Sequence, residues 1–298
     1  MKGAVTGTHG FVGSHLVERL TARGDEVIRL VRGPAGPGEA RWDPARGSVD
    51  AARLEGLDYV VHLAGANIGA RLWTRAQRRR IRDSRVQGTR VLAEAIAGLR
   101  VPPRVFLSAS AVGYYGDRGE EILTEDSGSG TGFRADVCRD WEEATEPAEK
   151  VGVRVCHLRS AIILSTRGGL LPFLRLRRVA LRLGSGRQWW SWISIDDEID
   201  AIVHLLDAAD VSGPVNLTAP DPVRQRAFAS TLAATVNGRV VPVPGTVMEA
   251  TLGPARAREV FLSSQRVLPA RLLASGYRFR HQDLRGALAG MFARHHPG

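Results

Sequence analysis

Through the first half of the chain, short apolar runs alternate with longer stretches whose apolar residues recur every three or four positions, the pattern of a parallel sheet covered by helices. Ala4 to Thr6 reads as the first strand. Phe11, Val12, Leu16, Val17 and Leu20 then share one helical face until Gly24 stops the helix, and Glu26 to Val31 forms the second strand. The run Gly33-Pro34-Ala35-Gly36-Pro37-Gly38 breaks regular structure. Tyr59 to Leu63 is the next buried strand, Thr74 to Leu99 a long helix, and Val105 to Ser108 a strand behind the Pro102-Pro103 break. A helix over Phe133 to Val151 and a strand over Arg154 to Leu158 complete a doubly wound nucleotide-binding unit that ends near Leu164. From Arg167 to Ser194 the pattern dissolves into Gly, Arg and Trp, and an apolar strand returns only at Val215 to Leu217. Helices are predicted over Asp196 to Ala208, Arg224 to Asn237 and Asp283 to Ala293, which gives a smaller C-terminal lobe capping the sheet.

Composition narrows the class. The chain has 298 residues, 44% hydrophobic and 6% aromatic, enough apolar material for one large or two modest cores, which excludes a disordered or fibrous chain. No apolar run reaches the roughly eighteen residues of a membrane span, and Met1 leads at once into a strand, so a cytoplasmic protein with no membrane partner is expected. Cys138 and Cys156 lack metal-ligand spacing and fit a reducing compartment. The net charge of +10 is almost all arginine, since lysine occurs only at Lys2 and Lys150. Its densest run, Arg75 to Arg85, is not interleaved with aromatics, so no nucleic-acid partner is expected. No metal constellation is visible; His295-His296 are adjacent and belong to a fraying end.

The sharpest local signal is Gly7-Thr8-His9-Gly10-Phe11-Val12-Gly13, directly after the first strand and opening a helix. Glycines there allow a tight turn, bring backbone N–H groups to a pyrophosphate and let helix and strand pack closely. Where an acidic residue after the second strand would accept the ribose hydroxyls of NAD, the chain reads Arg29-Leu30-Val31-Arg32, with no Asp or Glu until Glu39. A guanidinium at Arg32 suits a 2′-phosphate, which favours NADP; the alternative is a solvated surface charge. Asp58-Tyr59-Val60-Val61-His62-Leu63-Ala64-Gly65 is a buried strand ending in small residues that admit a flat ring, and His62 within it reads as an interior histidine.

These motifs, with Ser108-Ala109-Ser110-Ala111-Val112-Gly113-Tyr114-Tyr115-Gly116, resemble the extended short-chain dehydrogenase/reductases of the epimerase/dehydratase group. Trp42-Asp43-Pro44, Ser84-Arg85, Trp192-Ile193-x-Ile195-Asp196-Asp197 and Ser264-Gln265-Arg266-Val267-x-Pro269-x-Arg271-Leu272 look like the atypical branch that ends in a small domain of unknown function. The resemblance implies a Rossmann-type α/β fold, with an NADP-binding domain over 1–165 that draws elements from about 196–218. A smaller α+β substrate lobe would take 166–298, its family-specific part at about 243–292. It implies NADPH contacts from Gly7, Thr8, Gly10, Phe11 and Val12 at the pyrophosphate, Arg32 at the 2′-phosphate and Leu63, Ala64 and Gly65 on the adenosine side. Further contacts are implied for Arg85, Ser108 and the backbone of Ile163, with Arg80 either joining Arg85 or remaining solvated.

The superfamily reaction uses a Tyr-x-x-x-Lys pair, whose ammonium lowers the phenol's pKa so that it exchanges a proton as hydride moves. The helix implied to carry the pair has Phe133 and Val137 at those places. Three readings stay open: a displaced acid at Tyr114 or Tyr115 beside Ser110, hydride transfer with solvent protons, or a cofactor-binding sensor without turnover. The alternative for both tyrosines is a packing role, and nothing in their spacing separates the two. On the substrate side, Gly184 to Trp192 offers indoles and Arg187 either to a carboxylated or phosphorylated ligand or to internal packing. Ser194 is given no role, Asp196 and Asp197 read as helix caps, and Asp117, Glu120, Glu121, Glu125 and Asp126 as a mobile lid or a solvated loop. The expectation is an NADP(H)-dependent oxidoreductase acting on a small polar molecule, or a non-catalytic NADP(H) sensor; oligomeric state is not legible.

Overall fold

The computed structural model describes residues 1–69, 71–176 and 178–293. The chain runs β1 (Lys2–Thr6), α1 (Phe11–Ala22), β2 (Glu26–Val31), β3 (Glu39–Asp43), β4 (Ser48–Val49), β5 (Tyr59–His62), α2 (Arg75–Ala97) and β6 (Val105–Ala111). The short strand β7 (Ile122–Leu123), α3 (Phe133–Glu143), α4 (Glu146–Lys150) and β8 (Arg154–Ser160) follow. An eight-stranded sheet has the order Gly213–Leu217, β8, β6, β5, β1, β2, β3, β4. The pairs β1–β2, β1–β5, β5–β6 and β2–β3 are parallel, and the β3–β4 hairpin is antiparallel. The doubly wound α/β fold expected from the pattern is therefore present. After β1 the chain builds outward through β2 and β3, then returns to the other side of β1 for β5 and β6, so the strand order reverses between β1 and β5. That reversal opens a crevice at the carboxyl ends of the strands, where ligands of open α/β sheets bind.

Two compact units share the chain, each assembled from three segments: 1–111, 136–159 and 199–215 in the first, and 112–135, 160–198 and 216–298 in the second. The first has a core of Ala4, Ile28, Leu30, Trp42, Val60, Leu92, Ile96 and Phe106. Strands β1 and β5 are buried on both faces, which explains why they read as continuous apolar runs without alternation. The second unit packs Leu164, Trp190, Trp192, Phe228, Leu232 and Met248 together.

Several expectations need correction. The single helix over 133–151 is two, α3 and α4, because Pro147 lies in the first turn of α4 and cannot continue a helix begun upstream. The stretch 167–194 is not devoid of strands: Val179–Leu183 pairs in parallel with Arg239–Val243, and Trp192–Ser194 with Ile162–Ser165. Strand β3, in which Glu39, Arg41 and Asp43 alternate with buried Ala40 and Trp42, was not expected. In the second unit, Gly245–Leu252 and the wide π-turn Ala257–Leu262 were also unanticipated. Among the described residues no helix is long and apolar enough to cross a membrane. The His295-His296 pair lies outside the described residues.

Candidate functional site

In the first unit, Gly7 follows β1 with φ of 71°, a left-handed conformation that side chains rarely adopt, and a Cβ there would stand 3.0 Å from the amide nitrogen of Ala64. A Cβ on Gly13 would sit 2.2 Å from the Gly7 carbonyl oxygen, so α1 is seated directly on the turn. The Gly10 amide donates to that same carbonyl at 2.8 Å. No side chain caps the N-terminus of α1 and its first turn holds no acidic residue. Its leading N–H groups and the positive end of the helix dipole are thus available to an anion. The Oγ1 of Thr8, 6% exposed, has no hydrogen-bond partner, as expected of a hydroxyl awaiting one.

Register places Thr6, His62 and Ser108 side by side on β1, β5 and β6. Thr6 Oγ1 accepts from the amides of Leu63 at 3.0 Å and Ala64 at 3.2 Å, which occupies both lone pairs. Its proton is therefore left for His62 Nδ1 at 2.8 Å, so His62 carries its own proton on Nε2. Complete burial, and then the charge of Arg85, push the His62 pKa down to about 3. His62 is a neutral interior residue that shapes the β5 edge. Leu63 and Ala64 beyond it are half-buried and Gly65 is exposed. The Arg85 guanidinium donates to the Ala66 and Ile81 carbonyls at 3.0 and 3.1 Å, touches Gly65 and stacks 5.0 Å from the Trp141 ring centre, so it braces the loop after β5. Arg32, one residue past β2, and Arg80, on α2, are exposed. Ser108 Oγ is buried without a partner.

A polar cluster that sequence reasoning did not find lies behind Ser110. The Ser110 hydroxyl donates to Glu142 Oε1 at 2.6 Å, and Arg159 clamps the same carboxylate through Nε to Oε1 and Nη2 to Oε2, both at 2.8 Å. Arg159 is 3% exposed at its side chain and Glu142 10%. The available signal was Arg159 itself, a charge closing the apolar run of β8, which demands a partner. Around it, His157 Nε2 meets Thr145 Oγ1 at 2.9 Å, and burial holds the His157 pKa below the ordinary histidine value.

In the second unit, Tyr115 is fully buried and its hydroxyl donates to Asn216 Oδ1 at 2.7 Å, while Tyr114 is half-buried and stacks on it edge to face at 5.4 Å. The first amides of α3, at Phe133 and Arg134, donate to Glu259 Oε1 and Oε2 at 3.3 and 2.8 Å. Glu259 comes from the π-turn, so that turn supplies the cap of α3. Ile163 lies on a strand opposite Ile193. The lysines lie elsewhere, Lys2 against Glu26 and Lys150 against Glu146.

The acidic loop is neither a free lid nor merely solvated. Glu125 is 4% exposed and accepts from the Asn216 amide at 3.0 Å, and Glu120 accepts from Arg224 and from Trp189 Nε1. Trp190 and Trp192 are core residues, and Trp189 lies between the guanidiniums of Arg224 and Arg266, at 4.3 and 4.4 Å. Ser194 does have a role: its Oγ accepts from the Asp197 amide at 3.0 Å and so caps the helix Ile195–Asp207, the part expected of Asp196 and Asp197. Asp197 instead accepts from Tyr277 and from the Arg280 amide. Among the described residues no cluster of three metal-ligating side chains occurs.

The family model described as the NAD dependent epimerase/dehydratase family matches residues 4–217, and that of a domain of unknown function, DUF1731, matches residues 243–291. The chain is 40% identical over 301 residues to epimerase family protein Mb2239 of Mycobacterium bovis, a match covering 99% of this chain and 98% of that protein. The crystal structure of human epimerase family protein SDR39U1 with NADPH is similar with a TM-score of 0.89 at 33% identity, covering 98% of this chain and 99% of that one. A nucleoside-diphosphate sugar epimerase from Corynebacterium glutamicum gives a TM-score of 0.81 at 38% identity, covering 99% of this chain and 58% of that one.

Proposed function

Because the chain belongs to the NAD dependent epimerase/dehydratase family, we propose that it is an NADP(H)-binding oxidoreductase that works without a Tyr-x-x-x-Lys pair on a small polar, carboxylated or phosphorylated substrate. The observation that carries this reading is the uncapped start of α1, seated on Gly7 and Gly13 beside the unpartnered Thr8 hydroxyl. Those groups fit a pyrophosphate: the amides of Phe11 and Val12 would meet its oxygens, with Thr8 as a further donor. Arg32 would pair with a 2′-phosphate, Leu63, Ala64 and Gly65 would flank the adenosine, and Ser108 would line the reacting end. When bound, the dinucleotide supplies the hydride donor or acceptor.

Phe133 has no proton to exchange and Val137 no charge with which to tune one, so the acid–base work falls to other groups. Tyr115, with its hydroxyl engaged by Asn216, suits packing. The same features favour a second reading, an NADP(H)-responsive binding protein without turnover.

Calorimetric titration of ligand-free protein tests the first step. Arg32→Asp should weaken NADPH by about 2 kcal/mol more than NADH, the loss of one charge-assisted contact. Equal weakening of both removes the case for NADP, and no heat with either nucleotide removes the reading. Oxidation of NADPH on addition of aldehydes, ketones or ortho-quinones then separates enzyme from sensor.

A further inference from the structure

We propose that Glu142, held by Arg159, is the proton-holding residue behind Ser110, so that a ligand hydroxyl or carbonyl at Ser110 exchanges its proton through the serine with the carboxylate. The proposal rests on the oxidoreductase reading above and supplies the acid–base group that Phe133 and Val137 do not.

The hydrogen-bond accounting is specific. An ionised carboxylate only accepts, so the single proton of Ser110 is committed to Glu142 Oε1, at 2.6 Å. What Ser110 Oγ has left is lone-pair capacity, and the group it recognises is therefore a hydrogen-bond donor, a hydroxyl. Arg159 occupies both carboxylate oxygens at 2.8 Å and gives the charge a fixed, bidentate partner. A buried arginine needs only a carboxylate; the third member, a serine near the carboxyl end of β6, is not required by the ion pair. Ser108 stands two residues earlier in β6, on the same face of the strand, and its buried hydroxyl also lacks a partner. Two hydroxyls on that face, one unpaired and one with only acceptor capacity left, describe a place for a polar ligand.

In the oxidative sense the ligand O–H bond breaks as an Oγ–H bond forms, and the original Ser110 O–H bond breaks as an O–H bond forms at Oε1. Negative charge leaves the carboxylate while the ligand oxygen becomes a carbonyl oxygen. Two electrons depart with the hydride, for which a nicotinamide dinucleotide is the co-reactant. In reduction each change reverses, and a protonated Glu142 makes Ser110 a donor to the carbonyl. The groups facing Glu142 are Ser110 from β6, Arg159 and His157 from β8, the latter at 3.9 Å, and Glu149 of α4 beyond His157 at 3.6 Å. Burial lowers the His157 pKa, so near neutral pH the charge facing the carboxylate is that of Arg159.

The test begins with ligand-free, full-length protein. The infrared difference between wild type and Glu142→Gln should contain a carboxyl band that moves in a Ser110→Ala background; a band that does not move overturns the proposal. Both variants should bind NADPH within about threefold of wild type, since neither residue is needed for the cofactor. On any alcohol that wild type oxidises with the oxidised dinucleotide, each should lose on the order of 100-fold in kcat, with the KM of Glu142→Gln nearly unchanged, the usual scale of general acid–base catalysis. Ser110→Thr, which keeps a hydroxyl, should restore most of the loss. If Glu142→Gln fails to melt cooperatively, Ser110→Ala carries the same test with the ion pair intact. Variants within threefold of an active wild type sink the relay alone. A wild type that binds NADPH and reduces nothing in the panel sinks the oxidoreductase reading and the relay with it.

Discussion

Glu198 is completely buried; its Oε1 accepts from Ser160 Oγ at 2.6 Å while Oε2 has no hydrogen-bond partner. Burial, opposed by the serine bond, raises its pKa from 4.5 to about 8. The folded chain therefore keeps a proton that the unfolded chain gives up, and the stability this group confers is present below pH 4.5 and is lost as pH rises to about 8. His62 works in the opposite sense: its pKa falls from 6.5 to about 3, so its contribution is present above pH 6.5 and is lost on acidification. From pH 4.5 to 6.5 the two slopes oppose each other. Between pH 6.5 and 8 Glu198 acts without that opposition, at about 1.4 kcal/mol per pH unit. Glu198→Gln should flatten the melting temperature across that window; a slope equal to that of wild type tells against a buried protonated acid. Legibility at this scale divides by cause. Gly7 and Gly13 were readable because only glycine satisfies their backbone demands. Glu142 was not, because its meaning comes from a strand partner seventeen residues away, the Arg159 pairing.

The seat of α1 on the first turn makes a prediction about an element. A methyl group on Gly13 would meet the Gly7 carbonyl oxygen at 2.2 Å, a contact that moves only if the helix moves. Gly13→Ala should cost roughly 1–3 kcal/mol of stability, the usual toll of overpacking, and should weaken NADPH binding in parallel. Thermal melting with nucleotide titration measures both; unchanged values for each would show that α1 does not rest where described. Long helices such as α2 were legible because amphipathic periodicity accumulates over many turns. Short strands were not. Val179–Leu183 carries Arg182 between Leu181 and Leu183, and its identity as a strand is set by pairing with Arg239–Val243, a partner no local window contains.

At the scale of the molecule, the first unit is closed by a late segment of chain. Residues 199–215 bring Asp200 and Asp207 to Arg19 and Arg23 of the first helix and its cap, at 3.0 and 3.1 Å, and carry the strand that neighbours β8. A fragment of residues 1–165 lacks these and leaves the β8 edge bare, so it should show no cooperative transition in circular dichroism, whereas the intact chain should. A cooperative melt of the fragment would mean that the segment only decorates a unit already complete. The general architecture was readable from alternating runs, yet the interleaving was not, because nothing local marks where a chain leaves one core for another.

The bare amino end of α1 has a consequence for the life of the protein in a cell. A helix whose leading amides lack internal acceptors is held less firmly when no anion faces them. A nucleotide that binds only the folded form stabilises it by about 2.7 kcal/mol at a hundredfold excess over Kd. On the proposed reading, copies starved of dinucleotide open first at this turn and are degraded sooner, so the abundance of the protein follows the supply of dinucleotide without any dedicated regulator.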